Sequence, residues 1–226
     1  NQLQLGFLKV LKGSPIEQQA AEYGIVYAPN PPYEVRYTRW LSFDDVLNLK
    51  GIEEMVELYY NSNQFAHTLP VLAREFASPF QMYEALSNYF TNTPSRTYRY
   101  QVLLEFACSV AGDKRALFIE LLLFDLYLRE NLKSRPDFAP ENTIDKELLR
   151  RFFTQEAQNP QYLKNYQNYT STQLLKMTHV ERFSYPVWHE NPVHQAVRLK
   201  TPAYILFDYQ SRNALTHDAA FYEIYF

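Results

Sequence analysis

"ALFIELLLFDLYL", Ala116–Leu128, is the most apolar run in the chain, and how it is read decides the fold class. Thirteen residues are too few for a bilayer span, which needs about 20. Glu120 and Asp125 interrupt the run, which argues the same way. Leu117, Ile119, Leu121, Leu122, Phe124, Leu126 and Leu128 surround a helix almost completely, so the run reads as a helix enclosed by neighbours. Asp113 is the expected cap, with the helix running to about Asn131. The two acids, with Glu105 on another apolar helix, are costly to bury unpaired. Arg99, Arg115 and Arg129 are their expected partners.

Helical texture extends to both sides of this run. Ser42 with Asp45 three residues on is a variant capping box. Val46, Leu49, Ile52, Val56 and Tyr59 then recur at helical spacing to about Asn63. Ser78, Pro79 and Gln81 repeat the start signal for a helix over Ser78–Asn92. Tyr98–Val110 is another, stopped by Gly112. Asn142–Glu156 is amphipathic, and Asn159-Pro160 starts a short helix. The total is six or seven helices in series.

Beyond Met177 the period changes to two. "HVERFSYPVW", "PAYILFDYQ" and "AAFYEIYF" predict three strands in an antiparallel meander. At the other end, "LQLGFLKVLKGSPI", Leu3–Ile16, opens with no Met before it. It reads as a mainly apolar strand, then a turn, with Ser14 as N-cap and Pro15 at the first helical position. Gly24 falls just past that helix. Ile25–Tyr27 is a short strand candidate. Tyr33, Val35 and Tyr37 alternate with polar residues as a half-buried strand does. The fold class is therefore mainly α with a small antiparallel β part, α+β: a helical array plus C-terminal strands.

Composition excludes several functions. The net charge of −3 is evenly mixed, with no basic stripe for nucleic acid. Asn1–Lys12 lacks the basic-then-apolar order of a secretory leader. The single cysteine, Cys108, forbids an internal disulfide or a cysteine metal cage and fits a reducing, cytoplasmic setting. In "LEFACSV" it reads as a small buried hydrophobe. Five glycines leave no phosphate loop, and GxSxG and HExxH are absent. His189, Glu190 and His194 in "WHENPVH" form the best metal-like cluster, but the spacing matches no common zinc pattern, Pro192 separates the two imidazoles, and the residues read as a polar surface loop. "YYNSNQF", Tyr59–Phe65, ends a helix. Asn61 or Asn63 there is either a C-cap or, beside two tyrosines, part of a polar patch that grips a ligand. The 19 tyrosines and 16 phenylalanines fit a thick core, a binding groove or an interface. No catalytic set is visible.

The ordered motifs Gly6, "LKGSP", "PPYEV", "IEEMVE", "YYNS", "HVERF" and "LFDY" carry a resemblance across nearly the whole chain. Leu3–Ile16 resembles the final barrel strand and following loop of radical SAM enzymes that also bind cobalamin. The remainder resembles the domain of unknown function that follows that barrel in one subgroup. The resemblance implies that residues 1–28 are the tail of a barrel and 29–226 an accessory domain, helical over 29–177 and mainly strands over 178–226. It implies a 4Fe–4S cluster, S-adenosylmethionine and cobalamin for the parent enzyme and none in this chain, which lacks CxxxCxxC. The implied partners are the protein's own barrel and cobalamin domain and an unidentified substrate, with no nucleic acid and no membrane. The alternative is a free-standing helical interaction module.

By the same resemblance, Gly13 and Ser14 mark the barrel mouth, because βα barrels react at the C-terminal ends of their strands. Tyr33 and Arg36, and Tyr59, Tyr60 and Asn61, are expected to join them around one substrate-proximal cleft, although Ser14 would serve equally as a helix cap. Cut from its barrel, the Leu3–Leu11 strand is expected to be disordered, to pair with the C-terminal strands or to dock on another copy.

Overall fold

A computed structural model describes residues 2–89 and 98–226. In chain order the elements are α1 (Pro15–Gln19), β1 (Val26–Tyr27), β2 (Val35–Tyr37), α2 (Phe43–Met55), a π-helical turn (Val56–Asn61), α3 (Thr68–Leu72), α4 (Pro79–Tyr89), α5 (Tyr98–Val110), α6 (Arg115–Arg129), α7 (Lys146–Gln158), α8 (Ser171–Met177), β3 (Thr178–Phe183), α9 (Pro192–Gln195), β4 (Ala203–Arg212) and β5 (Ala219–Ile224). The class is α+β, as the periodicities predict. The chain divides into two compact units, Asn1–Ser62 with Phe76–Thr93, and Asn63–Glu75 with Pro94–Phe226.

In the first unit α2 starts on the predicted capping box. Ser42 Oγ accepts the Asp45 N–H at 3.1 Å, and the Asp45 carboxylate accepts the Ser42 N–H at 2.8 Å. Val46, Ile52 and Met55 are buried. Gly51 brings α2 against Ser87 of α4, where a side chain would collide with the serine hydroxyl. Asn48 Nδ2 donates to Glu84 Oε1 across the same pair at 2.9 Å. Ser78 caps α4 as expected, accepting the Gln81 N–H at 3.2 Å. The expected continuation to Asn92 lies outside the described residues.

The Leu3–Leu11 segment corrects the expectation of a strand without neighbours: its partners lie within its own unit. The Val10 N–H donates to Tyr33 O and the Val35 N–H to Leu8 O, both at 2.9 Å, around an antiparallel bridge between Lys9 and Glu34. Val10 is fully buried with Ala20, Ile25 and Val35. One inward side chain and two backbone bonds thus fix the end of a segment that sequence reading treats as severed.

In the second unit, every residue of α6 from Leu117 to Leu128 is buried except the half-buried Glu120. The predicted cap fails: Gly112–Lys114 is a 3₁₀ turn, and Lys114, at the cap position, makes no side-chain capping bond. The sheet order is β3-β4-β5, antiparallel throughout, with Val180 opposite Leu206 and Leu206 opposite Tyr222. One sheet face meets α6, where the Phe124 ring touches Phe183, Phe207 and Phe221 at 5.2–5.9 Å between centroids. The other face, through Val180, Leu206 and Ile224, packs on Phe152 and Phe153 of α7 and Leu174 of α8. Cover on both faces explains why Ile205–Tyr209 is buried without alternation.

Two helix limits also differ. α7 begins at Lys146 on an Asp145 cap. No helix follows Asn159-Pro160; the Glu156 carboxylate accepts the N–H groups of Gln161, Tyr162 and Leu163 at 2.9–3.1 Å and holds turns there. The next helix, α8, starts instead on a capping box of Thr170 and Gln173. Among the described residues no helix is long and apolar enough to cross a membrane.

Candidate functional site

The residues expected near substrate all fall in the first unit. Gly13 adopts φ +78, which a side chain would disfavour, and its N–H donates to Glu17 Oε2 at 2.6 Å. Ser14 Oγ lies 3.4 Å from the Glu17 N–H and caps α1, so its local task is structural. Tyr33 also has positive φ, and Lys12 Nζ sits 5.6 Å from its ring centroid. Lys12–Gly13 and Tyr33 are therefore brought together.

Tyr59 is fully buried core, which removes it as a wall for any ligand, whereas Tyr60 is exposed. Asn61 is 8 % exposed and grips the backbone. Its Oδ1 accepts the Leu3 N–H and its Nδ2 donates to Leu3 O, both at 2.9 Å, and Nδ2 also donates to Glu57 Oε2 at 2.8 Å. Asn61 thus holds the start of the Leu3–Leu11 segment, while Gly13 and Tyr33 lie by its end. The capping position belongs to Asn63, at φ +53 just past the turn.

Arg36 lines a groove of about 440 Å³ between the β1–β2 hairpin and α2. Ala28, Glu34 and Val35 form one wall. Phe43, Val46, Leu47 and Lys50 form the other, spaced to share one face of α2. Val35 and Val46 are buried, and Phe43 and Leu47 are about half exposed. Lys50 Nζ pairs with Glu34 Oε1 and lies 5.3 Å from the Phe7 ring centroid. Sequence reading missed the α2 wall because it followed the Val46–Ile52 stripe. The signal was there in Phe43 and Leu47, apolar residues outside that stripe.

The second unit holds buried polar groups with structural partners. Asp125, 1 % exposed, accepts the His67 N–H, His67 Nδ1, the Thr68 N–H and the Thr68 hydroxyl at 2.6–3.0 Å. Glu120 accepts the N–H groups of Ser184 and Tyr185 at 2.8–2.9 Å, and Glu105 accepts from Gln101 Nε2 at 2.9 Å. These bonds correct the expected arginine pairing: Arg129 binds Asp218, and Arg115 donates to Cys108 Sγ. Cys108 is half-buried rather than enclosed.

Arg135 donates through Nε and Nη2 to both oxygens of Glu181, at 3.2 and 3.1 Å, with His179 Nε2 3.5 Å from the same carboxylate. Burial pushes the Glu181 carboxyl up, but the His179 imidazole and the Arg135 guanidinium outweigh it, and its pKa lies below the ordinary carboxylate range. For Glu120, burial wins and the pKa is raised. A second cavity, about 660 Å³, is lined by Tyr100, Leu126, Leu132, Arg135, Phe138 and neighbouring side chains.

His189, before α9, and His194, within α9, face one another at 5.6 Å between centroids, and both are exposed. Among the described residues no group of three histidine, cysteine or acidic side chains is placed to hold a metal. A cluster bound by three thiolates does not fit this chain, which has one. Asn61, Glu120 and Asp125 each brace backbone N–H groups.

No curated protein and no solved structure matches the chain. Residues 21–207 match the family described as Protein of unknown function (DUF4080), and the chain, matched over most of its length, belongs to that family.

Proposed function

We propose that this chain is the accessory, substrate-covering part of a cobalamin-dependent radical SAM enzyme and is not catalytic by itself. The single observation that carries the reading is the outer side of the N-terminal segment. Leu3, Leu5, Leu8 and Leu11 are 51 %, 39 %, 48 % and 60 % exposed, while Val10 between them is fully buried. Four exposed leucines on an extended segment held by one bridge suit a segment whose free surface is covered by a neighbouring element. The motif resemblance supplies that neighbour as the enzyme's own barrel, with residues 1–28 as its last strand, loop and helix. A lid is useful there because a radical intermediate exposed to water or bulk solutes enters side reactions. The iron–sulfur cluster, S-adenosylmethionine and cobalamin belong to the parent, in the cytoplasm. Gly13, Ser14, Tyr33, Arg36 and Tyr60 are the residues proposed to stand near substrate.

The test is the parent protein. Its reading frame should carry CxxxCxxC roughly 150–200 residues upstream, a domain's length. Purified without oxygen, it should hold iron and sulfide and cleave S-adenosylmethionine. Leu5→Asp with Leu8→Asp should loosen the domain, seen as new protease cleavage near residue 28, without unfolding it. A frame with no cysteine motif and an iron-free product would reject the reading in favour of a free-standing interaction module.

A further inference from the structure

We propose that the groove between β2 and α2 binds a small anionic amphiphile, a molecule with a carboxylate or phosphate head and an apolar body. The proposal concerns this chain alone and does not depend on the parent being a radical enzyme.

The groove's volume, about 440 Å³, falls within the usual range for small-molecule sites. Its apolar lining comes from two elements, Val35 and Ala28 from the hairpin and Phe43, Val46 and Leu47 from one face of α2, beside the charged Glu34, Arg36 and Lys50. Half-exposed Phe43 and Leu47 leave apolar surface for a ligand body to cover.

The charges are unequal. Glu34 holds Lys50 in place, and that pair is neutral. Arg36 lines the same groove, and among the described residues no hydrogen bond or ion pair reaches its guanidinium. The free charge is therefore one cation on a planar fork that matches a carboxylate or phosphate. An amine head would meet that cation and be repelled. Glu34 fixes Lys50 against Phe7, so the ammonium is already placed for a second hydrogen bond to the head.

Isothermal titration of the whole chain with octanoate, octyl phosphate, octylamine and octanol tests this. Octanoate and octyl phosphate should bind saturably at one site, and the tighter of the two identifies the head. Octylamine should not bind. Arg36→Gln should weaken the anions about tenfold or more, the loss of one charge-assisted bond, and leave octanol unchanged. Leu47→Asp should remove binding of both. Arg36 is exposed, so unchanged melting of Arg36→Gln excludes misfolding. Equal binding of octylamine and octanoate, unaltered anion affinity in Arg36→Gln, or no saturable binding of either anion would each overturn the proposal.

Discussion

Asp125 and Thr68 are joined twice: the Asp125 carboxylate accepts both the Thr68 N–H, at 2.9 Å, and the Thr68 hydroxyl, at 2.6 Å. An acid on the central helix α6 thereby caps the start of α3 from 57 residues away in sequence. The same carboxylate takes the His67 N–H and ring. Burial of the charge is offset by four donors, two of them the amides of the cap residue His67 and the first helical residue Thr68, which have no partner within the helix.

Asp125→Ala should therefore destabilise the chain by roughly 2–4 kcal/mol, because it orphans buried donors as well as losing bonds. Asp125→Asn keeps one acceptor oxygen and should cost less. Urea unfolding measures both. A loss below about 0.5 kcal/mol for Asp125→Ala, the level of surface sites, would show that the cap is idle.

The central packing makes a simpler prediction. Leu121 and Leu122 are both fully buried on α6. Leu121→Ala and Leu122→Ala should each cost roughly 2–5 kcal/mol, the transfer loss plus the cavity left behind. Equilibrium unfolding with unchanged denaturant slope is the readout. Near-neutral values at both positions would contradict the enclosed helix.

How legible this fold was in sequence follows from the range of each interaction. α5, α6 and β3–β5 were readable because their apolar periods are local and long. The Ser42 capping box was readable because all its partners lie within three residues. The equivalent box at Thr170 and Gln173 uses the same signal and was overlooked. The partners of Asp125 and Glu120 were not readable, since donors 57 to 65 residues away leave no local trace. Nor was the turn after α7, where Glu156 overrides the helix-start signal at Asn159-Pro160. Of the candidate site, Gly13, Tyr33 and Arg36 lie where a ligand could reach them, while Tyr59 and Asn61 look polar or aromatic in sequence but face inward.

The Glu181–Arg135 pair predicts a pH dependence. A carboxyl whose folded pKa is depressed stabilises the fold above its unfolded pKa, and that stability is lost as pH falls through the folded value. The unfolded value is about 4.3, so the loss should begin below roughly pH 5 and continue below the ordinary range. Glu181→Gln should flatten that part of the stability curve. Glu120 works in the opposite sense: its raised pKa makes its contribution fall as pH rises, so Glu120→Gln should gain relative to wild type between acid and neutral pH. Arg135→Ala should cost about 3–5 kcal/mol at neutral pH, since it strands a buried charge. Unfolding at several pH values checks all three, and a Glu181→Gln curve parallel to wild type would refute the assignment.

Asn61 sits in a π-helical turn, and the sequence presents that turn as the end of an ordinary helix. In the turn Leu58, Tyr59 and Asn61 are all buried, and the Asn61 amide pairs with Leu3 as a neighbouring strand would. The rest of the segment has its own anchors, Val10 in the core and the Leu8–Val35 bond. Asn61→Ala should thus free the start of the segment and leave its end in place. Losing two bonds worth about 0.5–1.5 kcal/mol each should speed exchange of the Leu3 amide by about tenfold or more, with Val10 and Val35 still protected and little change in melting temperature. Val10→Asp, which puts a charge among Ala20, Ile25 and Val35, should release the whole segment and expose the Val35 amide as well. If Asn61→Ala leaves Leu3 exchange as it was, the segment is held by Val10 and the Leu8–Val35 bond, and the π turn has no part in positioning it.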